Sequence, residues 1–167
     1  TLYKQNHKYN HCIQHYIMKK IYLKKGKEES LLRFHPWIFS GAINHMDEQP
    51  EEGEVVEVYT NQNTYIATGH FQIGSIMVRV LSFDKETIDT EFYRHKLSVA
   101  LNVRKSIGVA DNPQNNTYRL VHGEGDNLPG LVIDIYGKTA VMQAHSVGMH
   151  CERKIIAESL KQVMGET

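Results

Sequence analysis

The stretch YRLVHGEGDNLPGLVIDIYG, from Tyr118 to Gly137, decides the fold of the second half of the chain. Two β-rich runs flank a cluster of Gly, Asp, Asn and Pro residues, a pattern typical of a hairpin with a long, shaped loop. Gly123 can adopt a positive φ there without a Cβ clash. Asp134 lies in an otherwise apolar run, so its carboxylate needs a donor. Arg119, across the mouth of the hairpin, is the predicted partner.

Short strands with turns at close spacing precede this hairpin. So many strands in so few residues predict a small β-barrel rather than a sandwich. Within this region FHPWIFSGAI, from Phe34 to Ile43, should form a strand after Pro36. Trp37 is expected to be its large apolar anchor, mostly buried in the core.

The rest of the sequence predicts a small α+β unit of strand, helix, hairpin, strand and terminal helix. Apolar residues recur at helical spacing before Gly108, with Asp89 or Thr90 as the N-cap. The predicted elements flanking the hairpin are a strand from Ser75 to Phe83, a helix from Thr90 to Ile107, a strand from Thr139 to Val147 and a helix from about Met149 to Met164.

Charge is balanced overall but uneven along the chain. Lys plus Arg and Asp plus Glu each total 19. Residues 1–36 carry eight basic and two acidic side chains, whereas residues 37–75 carry six acidic and no basic ones. Such a distribution would steer a polyanion if folding kept the charges apart. Ordinary solvated charge, intermixed by folding, gives the same sequence pattern, and charge alone favours neither interpretation.

The two cysteines, Cys12 and Cys151, lie far apart without a CxxC motif. This spacing predicts neither a disulfide framework nor a zinc ribbon and fits a reducing cytoplasmic setting. No apolar run approaches the roughly 18 residues that span a bilayer, so no membrane partner is expected. The start of the chain also lacks the apolar core of a signal peptide.

Residues 1–17 differ in composition from the rest of the chain and are interpreted as an N-terminal extension. His7, His11 and His15 are spaced four apart, so a helix would align them next to Cys12 as zinc ligands. A polar arm with incidental histidines explains the same pattern better, and no metal site is assigned.

The hairpin stretch and FHPWIFSGAI together resemble the PUA-domain RNA methyltransferases that modify a cytosine, at carbon 5, of large-subunit ribosomal RNA. The resemblance covers about Met18 to Gly165. It implies a PUA-like RNA-binding domain over residues 18–74 and a central α+β domain over residues 75–167. The family's Rossmann-like domain, which binds S-adenosylmethionine and carries the catalytic cysteine, has no counterpart in this sequence.

The resemblance therefore implies the RNA-recognition half of an enzyme, with ribosomal RNA as partner. No catalytic, cofactor-binding or metal-binding residue is assigned, and the chain alone is expected to be inactive in methyl transfer. The oligomeric state is open, and a homodimer is one option. Candidate RNA contacts are the basic residues around the first turn and one on a later strand: Lys24, Lys25, Lys27, Arg33, His35 and Arg79.

Other functions fit parts of the sequence less well. A stand-alone PUA-type RNA-binding adaptor without enzymatic activity is the main alternative. A hydrolase would use Glu124 and Asp126 as an acid–base pair, although acidic residues in Gly-rich loops mostly cap backbone N–H groups. Cys151, at the start of a predicted helix, could be an activated thiol, but a half-buried structural role is the better interpretation. Gly123-x-Gly125 does not continue as a dinucleotide-binding loop, because a strand follows it.

Overall fold

The structure is a computed structural model that describes residues 18–165 of the 167-residue chain. The interpretation of residues 1–17 as an extension, and the His7, His11, His15 and Cys12 pattern, lie outside the described residues.

The first half of the chain forms one six-stranded sheet. Its strands are β1 (Lys20–Leu23), β2 (Trp37–Phe39), β3 (Ile43–Met46), β4 (Val55–Tyr59), β5 (Tyr65–Phe71) and β6 (Ile76–Ser82). Their order in the sheet is β2-β6-β5-β4-β1-β3. All neighbours are antiparallel except β1 and β4, which are parallel. Single 3-10 turns at Leu31–Arg33 and Ser40–Ala42 flank β2.

The sheet curls into a half-barrel around an apolar core. Alternate residues of its strands point inward, as the period of two requires. The buried side chains of this core are Ile21, Leu23, Leu31, Ile38, Val56, Val58, Ala67, Phe71, Val78 and Val80. Burial of these apolar groups provides the main stabilisation of the half-barrel. The predicted small-barrel class is therefore confirmed.

The second half forms a three-stranded antiparallel sheet covered by helices. Its strand order is β7-β8-β9, and α1 packs against α3 in one apolar core with the sheet. This arrangement confirms the predicted α+β class and its central hairpin. The elements are α1 (Thr90–Ser106), β7 (Thr117–His122), β8 (Leu131–Tyr136), β9 (Thr139–Ala144), α2 (Val147–Cys151) and α3 (Arg153–Met164).

Helix α1 begins and ends where the sequence predicts. The Asp89 carboxylate accepts a hydrogen bond from the Phe92 N–H at 3.0 Å, which satisfies one of the free N–H groups at the start of the helix. Gly108, with φ +70°, follows the last turn. The buried face carries Phe92, Tyr93, Leu97, Ala100 and Leu101.

The terminal helix is not continuous, contrary to the prediction. Ser146 caps α2 by accepting from the Met149 N–H, and Glu152 separates α2 from α3 with backbone angles of φ −89° and ψ 5°. The Glu152 carboxylate turns towards the first sheet, where it hydrogen-bonds His70 Nε2 at 3.0 Å and also accepts from the Tyr93 hydroxyl. Burial raises the pKa of Tyr93 far above its usual range, and the nearby negative charge of Glu152 adds a smaller effect in the same direction.

Strand β6 belongs to the first sheet, although the predicted boundary near Gly74 assigns it to the second unit. It hydrogen-bonds to both β5 and β2. Val78 and Val80 point into the first core, whereas Leu81, on the opposite face, belongs to the second. The two separate cores favour two domains with β6 shared between them, and the division itself stays a prediction.

The two halves meet closely at His70. This histidine is 1 % exposed and lies on β5. Its ring packs directly against the Cα of Gly148 in α2, where an added Cβ would overlap the ring. Gly53 meets Val147 and Cys151 of the same helix. Within residues 18–165, no helix combines the length and apolarity needed to cross a membrane.

The Gly148–His70 contact predicts the sign of a substitution. Gly→Ala within a helix normally stabilises by about 0.8–1.0 kcal/mol. Gly148→Ala should instead lower the free energy of unfolding by about 1–3 kcal/mol, because the new methyl overpacks the junction. Urea denaturation with linear extrapolation measures the difference.

Gly125→Ala is the matched control, since its added Cβ would meet only His122 Cδ2 at 3.7 Å, an ordinary contact. A Gly148→Ala variant as stable as the unmodified chain would show that the two halves do not pack as described.

Candidate nucleic-acid interface

The alternation of β2 places two aromatic rings outside the half-barrel. Ile38 is buried in the core, so its neighbours Trp37 and Phe39 lie on the opposite face of the strand. Phe39 is 49 % exposed and Trp37 is half-buried. The prediction that Trp37 is mostly core is therefore wrong: the smaller Ile38 fills the interior, and the indole borders the surface.

A histidine completes the aromatic cluster. The His35 ring lies edge-to-face with Trp37 at a centroid distance of 5.7 Å, and Trp37 lies edge-to-face with Phe39 at 6.4 Å. His35 Nδ1 also accepts a hydrogen bond from the Trp37 backbone N–H at 3.2 Å. Edge-to-face packing is a favoured aromatic arrangement, and it leaves ring faces open to other planar groups.

A groove of about 320 Å³ borders the cluster. Its volume is within the range of small-molecule sites, roughly 300–1,000 Å³. The floor and walls come from the first 3-10 turn, β2 and the second 3-10 turn. The lining residues are Lys27, Ser30, Leu31, Trp37, Ile38, Phe39, Gly41 and Ala42.

Three of the predicted cations lie at this groove or beside its aromatic rings. Lys27 lines it directly. The Lys24 ammonium donates to the carbonyl of Gly41, a lining residue, at 3.0 Å. Arg79 lies opposite Trp37 in the register of β2 and β6, so both side chains share one face. Its guanidinium donates to Gln72 Oε1 at 2.8 Å.

Two other basic residues predicted to contact RNA lie outside the groove. Lys25 and Arg33 are exposed on the loop and turn that precede β2, but neither lines the groove. Phe34 is a surface residue that the sequence does not single out: it is 73 % exposed and has a left-handed backbone with φ 60°. Such a conformation is uncommon for a bulky residue, so contacts with the surrounding structure must hold the Phe34 backbone in it.

The Gly-rich loop of the second half reaches this cluster through Glu124. The Trp37 indole N–H donates to Glu124 Oε1 at 2.9 Å. Glu124 lies in a 3-10 turn, Gly123–Asp126, between β7 and β8. Nothing in the local sequence pairs these residues, which are 87 positions apart, so this partner could not be predicted.

Asp126 fixes the turn that carries Glu124. Its carboxylate binds the Arg104 guanidinium through two hydrogen bonds of 2.6 Å and accepts the His122 N–H, also at 2.6 Å. The two acids thus hold an indole and a loop rather than facing each other across a pocket. The hydrolase alternative is therefore dismissed, and the structural interpretation of these carboxylates is the correct one.

The predicted Arg119–Asp134 pair is confirmed. Arg119 Nε and Nη2 donate to the Asp134 carboxylate at 2.8 and 3.0 Å. These hydrogen bonds hold the pKa of Asp134 below its usual value. The pair spans β7 and β8 and supports the hairpin rather than a chemical step.

Cys151 differs from its prediction. It is exposed rather than half-buried, and it lies at the last residue of α2, one residue before Glu152, the N-cap of α3. In the described part of the chain, no three His, Cys, Asp or Glu side chains are grouped to hold a metal ion.

The loop also does not fit S-adenosylmethionine. A Rossmann-type loop needs a glycine-rich turn that leads from a strand into a helix, whose N-terminus faces the ligand. Here the turn leads from β7 into β8.

Three comparisons relate the chain to known proteins. Residues 21–83 match a family model described as a PUA-like domain. Ribosomal RNA large subunit methyltransferase I of Aeromonas salmonicida is 40 % identical over 148 residues, which are 87 % of this chain and 37 % of that protein. The Aliivibrio fischeri protein of the same name is 41 % identical over 142 residues, 84 % of this chain and 35 % of the relative.

A solved structure shares the fold. It is a candidate SAM-dependent methyltransferase from Streptococcus mutans, with a TM-score of 0.74 and 20 % identity over 88 % of this chain and 38 % of that one. The chain thus spans little more than a third of the length of these proteins. The match over residues 21–83 also includes β6, in agreement with its place in the first sheet. Residues 21–83 form a PUA-like domain, and the chain is homologous to part of ribosomal RNA large subunit methyltransferase I.

Proposed function

We propose that this chain is the RNA-binding part of an S-adenosylmethionine-dependent methyltransferase that acts on carbon 5 of a cytosine in large-subunit ribosomal RNA. The homology to ribosomal RNA methyltransferases supports the substrate class. The observation that carries RNA binding is the groove beside Trp37 and Phe39, with Lys27 in its lining. Methyl transfer itself is assigned to the larger part of the relatives, which this chain does not cover.

The groove offers the two kinds of contact that single-stranded RNA needs. An unpaired base can stack on an exposed aromatic face, here that of Phe39. Phosphates bind flexible cations near that base, and Lys27, Lys24 and Arg79 are the residues proposed for this role. Lys25, Arg33 and His35 are assigned weaker contacts with the neighbouring backbone. The substrate in this proposal is a loop or an unpaired strand.

Removal of the exposed ring tests base stacking. Phe39→Ala should weaken binding of a fluorescein-labelled single-stranded RNA by about 1–3 kcal/mol, the usual contribution of one stacked base. Fluorescence anisotropy titration measures the affinity. The loss should come from the RNA complex rather than from folding, because half of the ring is already exposed in the free protein.

Tyr136→Ala provides the matched control. Tyr136 is 51 % exposed, close to the exposure of Phe39, but lies on β8 in the second half. Its removal should leave RNA affinity unchanged. Equal losses for the two variants would mean that binding does not depend on this groove.

Salt dependence tests the phosphate contacts separately. Each cation that neutralises a phosphate of single-stranded RNA contributes about 0.7 to the slope of log affinity against log salt. Lys27→Ala should therefore reduce the slope by about that amount and weaken binding at low salt. Titrations at several salt concentrations provide the slope.

The control is Lys154→Ala, which removes an exposed lysine from α3. This variant keeps the same net charge as Lys27→Ala, so any general charge effect cancels in the comparison. An unchanged slope for Lys27→Ala would exclude a phosphate contact at this residue.

A further inference from the structure

Trp37 is held from two sides by different parts of the molecule. His35 and Phe39, from its own segment, pack edge-to-face against the ring at centroid distances of 5.7 and 6.4 Å. Glu124, from the loop between β7 and β8, accepts the indole N–H at 2.9 Å. The indole N–H is a donor only, so this carboxylate satisfies the single polar group of the ring.

The turn that carries Glu124 is itself firmly held. Asp126, two residues further on, binds the half-buried Arg104 guanidinium and the His122 N–H. The turn ends at Asn127, whose left-handed backbone directs its N–H back to the carbonyls of Gly123 and Glu124. The Glu124 carboxylate that accepts the Trp37 N–H therefore projects from a turn that several hydrogen bonds hold in place.

Glu124 acts on the groove only through the indole. Trp37 lines the groove, whereas Glu124 does not. An aromatic ring that is already fixed loses less freedom when a base packs against it, so the binding energy is larger. Without the carboxylate, the edge-to-face contacts alone would leave the indole free to shift.

We propose that Glu124 is a positioning residue for RNA recognition. It orients Trp37, whose edge-to-face contact with Phe39 steadies the ring on which an unpaired base stacks. The second half of the chain thereby has a role in the selectivity of the PUA-like domain for single-stranded RNA. This inference rests on the proposed function of the groove. A duplex, whose bases are already paired and stacked, gains nothing from an oriented indole.

Trp37 is the only tryptophan of the 167 residues, so its fluorescence reports on this ring alone. The test compares three variants of the chain: Glu124→Ala, Glu124→Gln and Glu158→Ala. The glutamine side chain in the second variant would keep an amide oxygen that accepts the indole N–H, so the ring should stay oriented. Glu158, an exposed glutamate on α3, provides the charge-matched control.

Two readouts are required. Time-resolved anisotropy of Trp37 in the free protein measures motion of the ring, and should show faster motion only in Glu124→Ala. Titration with labelled single-stranded RNA should show about a tenfold loss of affinity for Glu124→Ala, in line with the loss of one hydrogen bond that orients the ring. Affinity for a duplex of the same length should change by less than about twofold. Glu124→Gln and Glu158→Ala should match the unmodified chain.

The outcomes separate the two proposals. If the unmodified chain binds neither RNA, the proposed function fails, and the role of Glu124 fails with it. If it binds single-stranded RNA and Glu124→Ala binds equally well, only the role of Glu124 is overturned. A Glu124→Gln variant that behaves like Glu124→Ala would also overturn it, because the hydrogen bond would then not be what matters. A urea midpoint for each variant shows whether it is folded.

Discussion

The alternation of side chains along β2 is the constraint on which the candidate site depends. Three consecutive residues cannot all point inward, and the core takes the middle one, Ile38. Trp37 and Phe39 must then emerge on the outer face, next to the turns that carry Lys24 and Lys27. Core packing and an exposed aromatic surface thus follow from the same short strand. A shift of the β2 register by one residue would bury the two rings and expose Ile38. Both the core packing and the aromatic surface would then be lost.

Contacts between the two halves of the chain also help to define the candidate site. Gly148 lets α2 approach the His70 ring, and Glu152 leaves the helix to bond both His70 and the Tyr93 hydroxyl. A second connection, from Trp37 to Glu124, lies at the groove. The hairpin loop is therefore placed beside the aromatic cluster by contacts elsewhere in the molecule, since nothing in the loop itself directs it there.

Local signals in the sequence are sufficient to predict much of the fold. The Asp89 cap and Gly108 define α1, and the Gly- and Asn-rich cluster defines the hairpin between β7 and β8. The Arg119–Asp134 pair follows from a lone acid in an apolar strand. Each of these depends on residues close in sequence or directly across one turn, where spacing alone fixes geometry.

Features that depend on distant residues cannot be predicted in the same way. The size of Trp37 assigns it to the core, but its position depends on the register of β2 with β6. The interruption at Glu152 depends on His70, 82 residues earlier. Cys151 lies at the end of α2 instead of the start of a longer helix for the same reason. Of the six residues predicted to contact RNA, only Lys27 lines the groove beside β2. The sequence cannot show which exposed cations border the same concave surface.

The central claim is that RNA lies against the ring faces of β2. Photocrosslinking with a single-stranded RNA that contains 4-thiouridine, followed by mass spectrometry of the crosslinked peptides, tests it most directly. The account predicts that crosslinks concentrate in the peptide containing Trp37 and Phe39, because a stacked base lies within van der Waals distance of these rings. Crosslinks confined to β9 and α3, which contribute no residue to the groove, would contradict it.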